Sequence, residues 1–162
     1  MQTQPNVAAL SVRAQLANDP TLFDRMMDYD HPALRERMEV KYGWSPEKTD
    51  ELFGEMKKFM YLCATNDGAM APPEDIDEIW HNFILFTGDY ADYCQDTVGM
   101  FLHHQPLTQA QRAQSDGSMI ENTLAAARRA FGDDLPEEHW SFHKIPGSCG
   151  PGTCGASTNC QG

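Results

Sequence analysis

Residues 72–106 read PPEDIDEIWHNFILFTGDYADYCQDTVGMFLHHQP, and the fold turns on this stretch. Pro72 and Pro73 suit the entrance and first turn of a helix, where a missing N–H costs least. Glu74, Asp75, Asp77 and Glu78 follow, and acidic side chains favour the positive end of a helix dipole. Ile76, Ile79, Trp80, Phe83 and Ile84 recur at helical spacing, which predicts an apolar face turned to a core. Leu85 and Phe86 widen that face until the helix is expected to be buried. Thr87 can cap a second helix starting at Gly88, with Tyr90, Tyr93, Cys94 and Val98 along its inner side. Gly99 suits a left-handed stop. Residues 100–104 then form an apolar connector that carries His103 and His104 toward Pro106.

The polar groups of this stretch form a candidate site. At about 100° per residue, His81 and Cys94 would face different ways on one continuous helix. A break at Thr87-Gly88 allows two antiparallel helices and the connector to converge His81, Cys94 and His103 or His104. Asp77 lies one turn before His81 and can orient its ring. Imidazole and thiolate suit Zn²⁺ or another transition metal. The spacing H-x12-C-x8-HH matches no standard zinc signature, and the competing expectation is a hydrogen-bonded core histidine, a core thiol and a polar connector.

The run from Asp77 to His104 resembles the central segment of the glycine-rich domain-containing protein-like family of plants and bacteria. That family shows a Trp-His pair in a helix, a Tyr and a Cys about a dozen residues later, and a Gly followed by His. Trp80, His81, Tyr90 or Tyr93, Cys94, Gly99 and His103/His104 are the matching positions. The likeness is carried by residues 74–106 and extends over 45–140. The family's Gly-rich, often Cys-containing C-terminal segments have a short counterpart in residues 147–162. The resemblance implies architecture rather than a defined activity.

Outward from this stretch, the chain reads as helices. Residues 6–17 predict a short one. Asp19-Pro20 opens a second with Leu22, Phe23, Met26 and Met27 on its apolar side. Residues 32–42 follow His31-Pro32, with His31 expected as a turn residue, and Gly43-Trp44 ends this piece. Ser45-Pro46-Glu47 starts the clearest periodic element, 46–65, in which Leu52, Phe53, Met56, Phe59, Met60 and Cys63 share one stripe. Glu51, Glu55, Lys57 and Lys58 are expected on its solvated side. Downstream, Thr108 caps a helical region, residues 119–131 form a helix closed by Gly132, and PEEHW makes a last turn in which Trp140 covers the core. His139 and His143 are expected at the surface.

The fold expected is therefore all-α: a compact domain of about six or seven helices over residues 1–144, centred on the 46–65 and 74–86 helices, with an irregular Gly/Cys-rich tail at 145–162. In that tail His143, Cys149, Cys154 and Cys160 offer four potential ligands for a soft metal, although C-x4-C-x5-C is not the spacing of a zinc ribbon or knuckle. The tail has little to bury and is not expected to fold alone.

Composition narrows the function. The chain has 162 residues, 41% of them hydrophobic, and a formal net charge of −12. The charge argues against nucleic acid and anionic membrane as partners. No apolar run is long enough to span a bilayer, and the N-terminal residues lack a signal-peptide pattern, so a cytoplasmic location is expected. Five Cys, three of them in the last 14 residues, are not the pattern expected of a disulfide framework for the whole domain. There is no P-loop, GxGxxG, GxSxG or HExxH. A Cys94–His nucleophile lacks anything in the sequence to depress the thiol pKa. The function expected is a non-catalytic helical domain for a protein partner or self-assembly, its Cys/Gly tail serving attachment or metal binding. The alternative is a small metalloprotein, zinc or another transition metal its cofactor, using His81, Cys94 and His103/His104; it includes the enzyme option.

Overall fold

A computed structural model describes residues 11–133 and 135–142. Among these the chain is all-α. It forms nine α-helices: α1 (Val12–Ala17), α2 (Leu22–Asp28), α3 (Pro32–Tyr42), α4 (Pro46–Thr65), α5 (Glu74–Ile84), α6 (Thr87–Asp92), α7 (Gln109–Ala113), α8 (Ser118–Phe131) and α9 (Glu137–Trp140). A π-helical turn, Tyr93–Val98, continues α6. The count exceeds the six or seven expected because short pieces such as α7 and α9 are helices in their own right.

Helix α4 is the axis. It packs against α1, α2, α3, α5 and α8, and its apolar stripe of Leu52, Phe53, Met56, Phe59, Met60 and Leu62 is fully buried. Pro46 stands in its first turn, and the Ser45 hydroxyl accepts the Lys48 N–H, which satisfies one donor left open at the helix start. Helix α5 lays Ile76, Ile79, Trp80 and Phe83 against it. Phe83 is the hub: its ring centroid lies 5.2–6.4 Å from those of Tyr29, His31, Phe53, Tyr90 and Tyr93, within the range of favourable aromatic pairing.

Several side chains depart from the sequence expectation. Glu55 and Lys57 are buried rather than solvated. Glu55 accepts the Trp140 indole N–H at 2.6 Å and the Lys58 ammonium at 2.7 Å. Lys57 donates to the backbone carbonyls of Met27 and Tyr29, which end α2. Both charges are therefore partnered, the condition for burying them. Leu85 is exposed because α5 ends at Ile84 and Leu85 lies beyond the buried face. His31 does more than turn the chain. Its Nδ1 caps α3 by accepting the Leu34 N–H, and its Nε2 meets Asp89 of α6 at 2.9 Å. Asn82 is buried on the far side of α5, bonded to Arg37, Tyr42 and the Glu78 carbonyl. His139 is buried, not superficial.

Candidate metal centre

Three local devices bring the site together. The first is the start of α5, which places Asp77 and His81 one turn apart on the same face; His81 Nδ1 lies 3.5 Å from Asp77 Oδ2. The second is the π-helical turn. The Gly99 N–H reaches back to the Cys94 carbonyl at 2.9 Å, and Gly99 takes φ 93°, a conformation that glycine adopts without a Cβ penalty. This closes the helix and sends the chain back toward α5.

The third device is a buried relay. The Trp80 indole N–H donates to the Tyr90 hydroxyl at 3.1 Å, and that hydroxyl donates to the Leu102 carbonyl at 2.5 Å. All three residues are buried. The relay pins the connector two residues before His104. His104 is thereby set against Trp80, ring centroids 4.6 Å apart, and against Asp77, whose Oδ1 lies 2.7 Å from His104 Nε2.

The outcome is a cluster of one carboxylate and two imidazoles. Asp77 presents one oxygen to each histidine, and the His81 and His104 rings lie 4.3 Å apart. One ligand atom from each of the three lies within 4.8 Å of the others. His104 is nearly buried, while Asp77 and His81 are partly open. The opening faces a cavity of about 420 Å³. Its walls come from the start of α5, the connector through Leu107, Arg112 of α7, Met119 and Ile120 of α8, and Glu138, His139, Ser141 and Phe142.

Of the side chains expected to converge, the structure brings His81 and His104 together. His103 is exposed, its ring beside that of Phe101. Cys94 belongs to neither of the ligand groups found among the described residues. Its thiol is fully buried, and burial raises its pKa. Asp77, noted in the sequence only as an orienting group, is the hinge of the cluster. Its i, i+4 relation to His81 is legible in the sequence, but its pairing with His104 spans 27 residues and has no local signal. His143, Cys149, Cys154 and Cys160, with the tail 145–162, lie outside the described residues. Among the described residues, no helix is long and apolar enough to cross a membrane.

No curated protein and no solved structure matches the chain significantly. The model of one family, UCP032817-like, matches residues 24–132. That span runs from α2 through α8 and contains Asp77, His81, His104 and the Trp80–Tyr90–Leu102 relay, so the chain is a member of the UCP032817-like family.

Proposed function

We propose that this chain is a metal-binding protein that holds a divalent transition ion on Asp77, His81 and His104. The observation that carries the proposal is the gathering of one ligand atom from each residue within 4.8 Å at the edge of the cavity. Two imidazoles and one carboxylate suit zinc or ferrous iron. Ligand bonds of roughly 2.0–2.2 Å put neighbouring donor atoms about 3–3.5 Å apart. His81 Nδ1 lies 3.5 Å from Asp77 Oδ2 and His104 Nε2 lies 2.7 Å from the other oxygen, Oδ1, so a shared ion would be held by both carboxylate oxygens with a small opening of the second pair.

Three protein ligands leave coordination positions free, as in sites that act on a bound water or small molecule. The cavity has the size of a small-molecule pocket. Its wall combines apolar Met119, Ile120 and Leu107 with the Arg112 guanidinium. A metal-dependent reaction on a small polar molecule is the enzyme form of this proposal. A reducing, cytoplasmic setting suits it, since Cys63 and Cys94 are free thiols.

Kinship with glycine-rich domain-containing proteins is part of the same proposal. Among the positions that carry the likeness, Trp80, Tyr90 and Gly99 support the cluster, His81 and His104 belong to it, and Cys94 lies in the core. A partner-binding or metal-binding role for His143, Cys149, Cys154, Cys160 and the tail is a separate proposal that rests on the sequence alone.

The test is zinc binding by the full-length chain with Cys149, Cys154 and Cys160 replaced by Ser, so that tail thiolates do not compete. Equilibrium dialysis should show zinc binding that H81A and H104A each weaken by at least about tenfold. Absence of zinc binding, or binding that both substitutions leave unchanged, refutes the proposal.

A further inference from the structure

We infer a second cation site, formed by Glu51, Glu138 and His139. It begins with Trp140. The indole is buried and its N–H is held by Glu55 at 2.6 Å, which docks α9 onto α4. This draws His139 inward until its side chain is only 6% exposed. An imidazole always carries at least one N–H donor, and a neutral one also carries an acceptor. Among the described residues, neither ring nitrogen of His139 has a hydrogen-bond partner. A buried polar ring left in this state is costly, and native interiors rarely contain one without a reason.

The surroundings supply the reason. His139 Nε2 lies 3.4 Å from Glu51 Oε1 and 3.9 Å from Glu138 Oε1. Both contacts fall within ion-pair range; the first lacks hydrogen-bond alignment and the second is too long for a hydrogen bond. One ligand atom from each residue lies within 4.8 Å of the others. A cation bound at roughly 2.0–2.2 Å takes neighbouring donors about 3–3.5 Å apart, so the 3.4 Å Glu51 pair already fits and the exposed Glu138 carboxylate closes from 3.9 Å by a small side-chain shift. The cation would turn one of the two unpartnered nitrogens, Nε2, into a ligand.

The donor set states the class of ion. Two carboxylates and one imidazole select a borderline-to-hard divalent ion such as manganese or ferrous iron over a soft one. Glu51 and Glu138 are 47% and 73% exposed, so the ion has a path from solvent and keeps open positions. Glu138 and His139 also line the cavity that Asp77, His81 and His104 border. The second site shares no ligand with the first and stands or falls independently of it.

Mn²⁺ is the probe, because tail thiolates bind it poorly and its free form is counted by electron paramagnetic resonance. The full-length chain is titrated as wild type, as H81A, and as H81A combined with E51Q or H139Q, with folding checked by circular dichroism. H81A should retain a manganese site, and E51Q and H139Q should each weaken that site by at least about tenfold. Glu51 is half exposed on α4, so E51Q keeps the fold and decides the matter if H139Q does not fold. If H81A binds no manganese, or if E51Q weakens binding less than about tenfold, the second site does not exist. A partial loss of bound manganese in H81A against wild type reports on the Asp77 cluster.

Discussion

Tyr90 and Tyr93 are neighbours in sequence, both buried, and their hydroxyls do opposite things. The Tyr90 hydroxyl joins the Trp80 indole to the Leu102 carbonyl. The Tyr93 hydroxyl is buried without a hydrogen-bond partner among the described residues. Replacing each by Phe removes one oxygen atom and nothing else. Tyr90→Phe strands a buried N–H and takes the donor from a carbonyl, each at about 1–3 kcal/mol, so a loss of about 2–4 kcal/mol is expected after partial relaxation. Tyr93→Phe removes an unsatisfied polar atom and should lie between no change and a gain of about 1 kcal/mol. Urea unfolding followed by circular dichroism measures both. The same Tyr90→Phe chain should bind zinc about 10–100-fold more weakly, because the relay that positions His104 is cut. If Tyr93→Phe costs as much stability as Tyr90→Phe, the relay is not what holds the connector.

Three further outcomes follow from the packing. Phe83→Ala empties the centre of the aromatic cluster and should cost about 3–5 kcal/mol in urea unfolding. Gly99→Ala should cost about 1–2 kcal/mol from φ 93° alone, since the added Cβ meets only Leu16 Cδ2 at an ordinary 3.4 Å. Burial pushes the Cys63 thiol up to about 12, against the opposing charge of Arg13. An unfolded thiol ionises near 9.0, so above that pH the unfolded chain holds fewer protons than the folded one and stability falls as pH rises. Burial raises the Cys94 thiol too and adds to the trend. Urea midpoints that fall steadily between pH 9.0 and about pH 12 would bear this out.

The elements were legible where one residue type dictates local geometry. Pro32 and Gly43 bracket α3, Ser45 and Pro46 open α4, and Gly99 stops the π-helical turn. The α5 face was legible too, since Ile76, Ile79, Trp80 and Phe83 follow the helical period. What escaped the sequence depends on partners far along the chain. Glu55 looks like a solvated residue until Trp140, 85 positions away, brings its N–H. Lys57 looks the same until two carbonyls at the end of α2 receive it. Half of the candidate cluster was visible: the Asp77–His81 turn is local, and His81 and His104 both stood among the candidates. Choosing His104 over His103 and excluding Cys94 required the path of the connector. The Trp80–Tyr90–Leu102 relay sets that path, and no periodicity encodes it.

The most direct test of the central claim is the histidine side-chain nitrogen NMR spectrum, during zinc addition, of the full-length chain with Cys149, Cys154 and Cys160 replaced by Ser. A metal bound by imidazole shifts the coordinating nitrogen and leaves non-ligating rings in place. The account predicts that the His81 and His104 resonances shift together as zinc is added, that His31 and His103 stay where they are, and that Asp77→Asn weakens the response. Zinc that binds while His81 and His104 remain unmoved would contradict it.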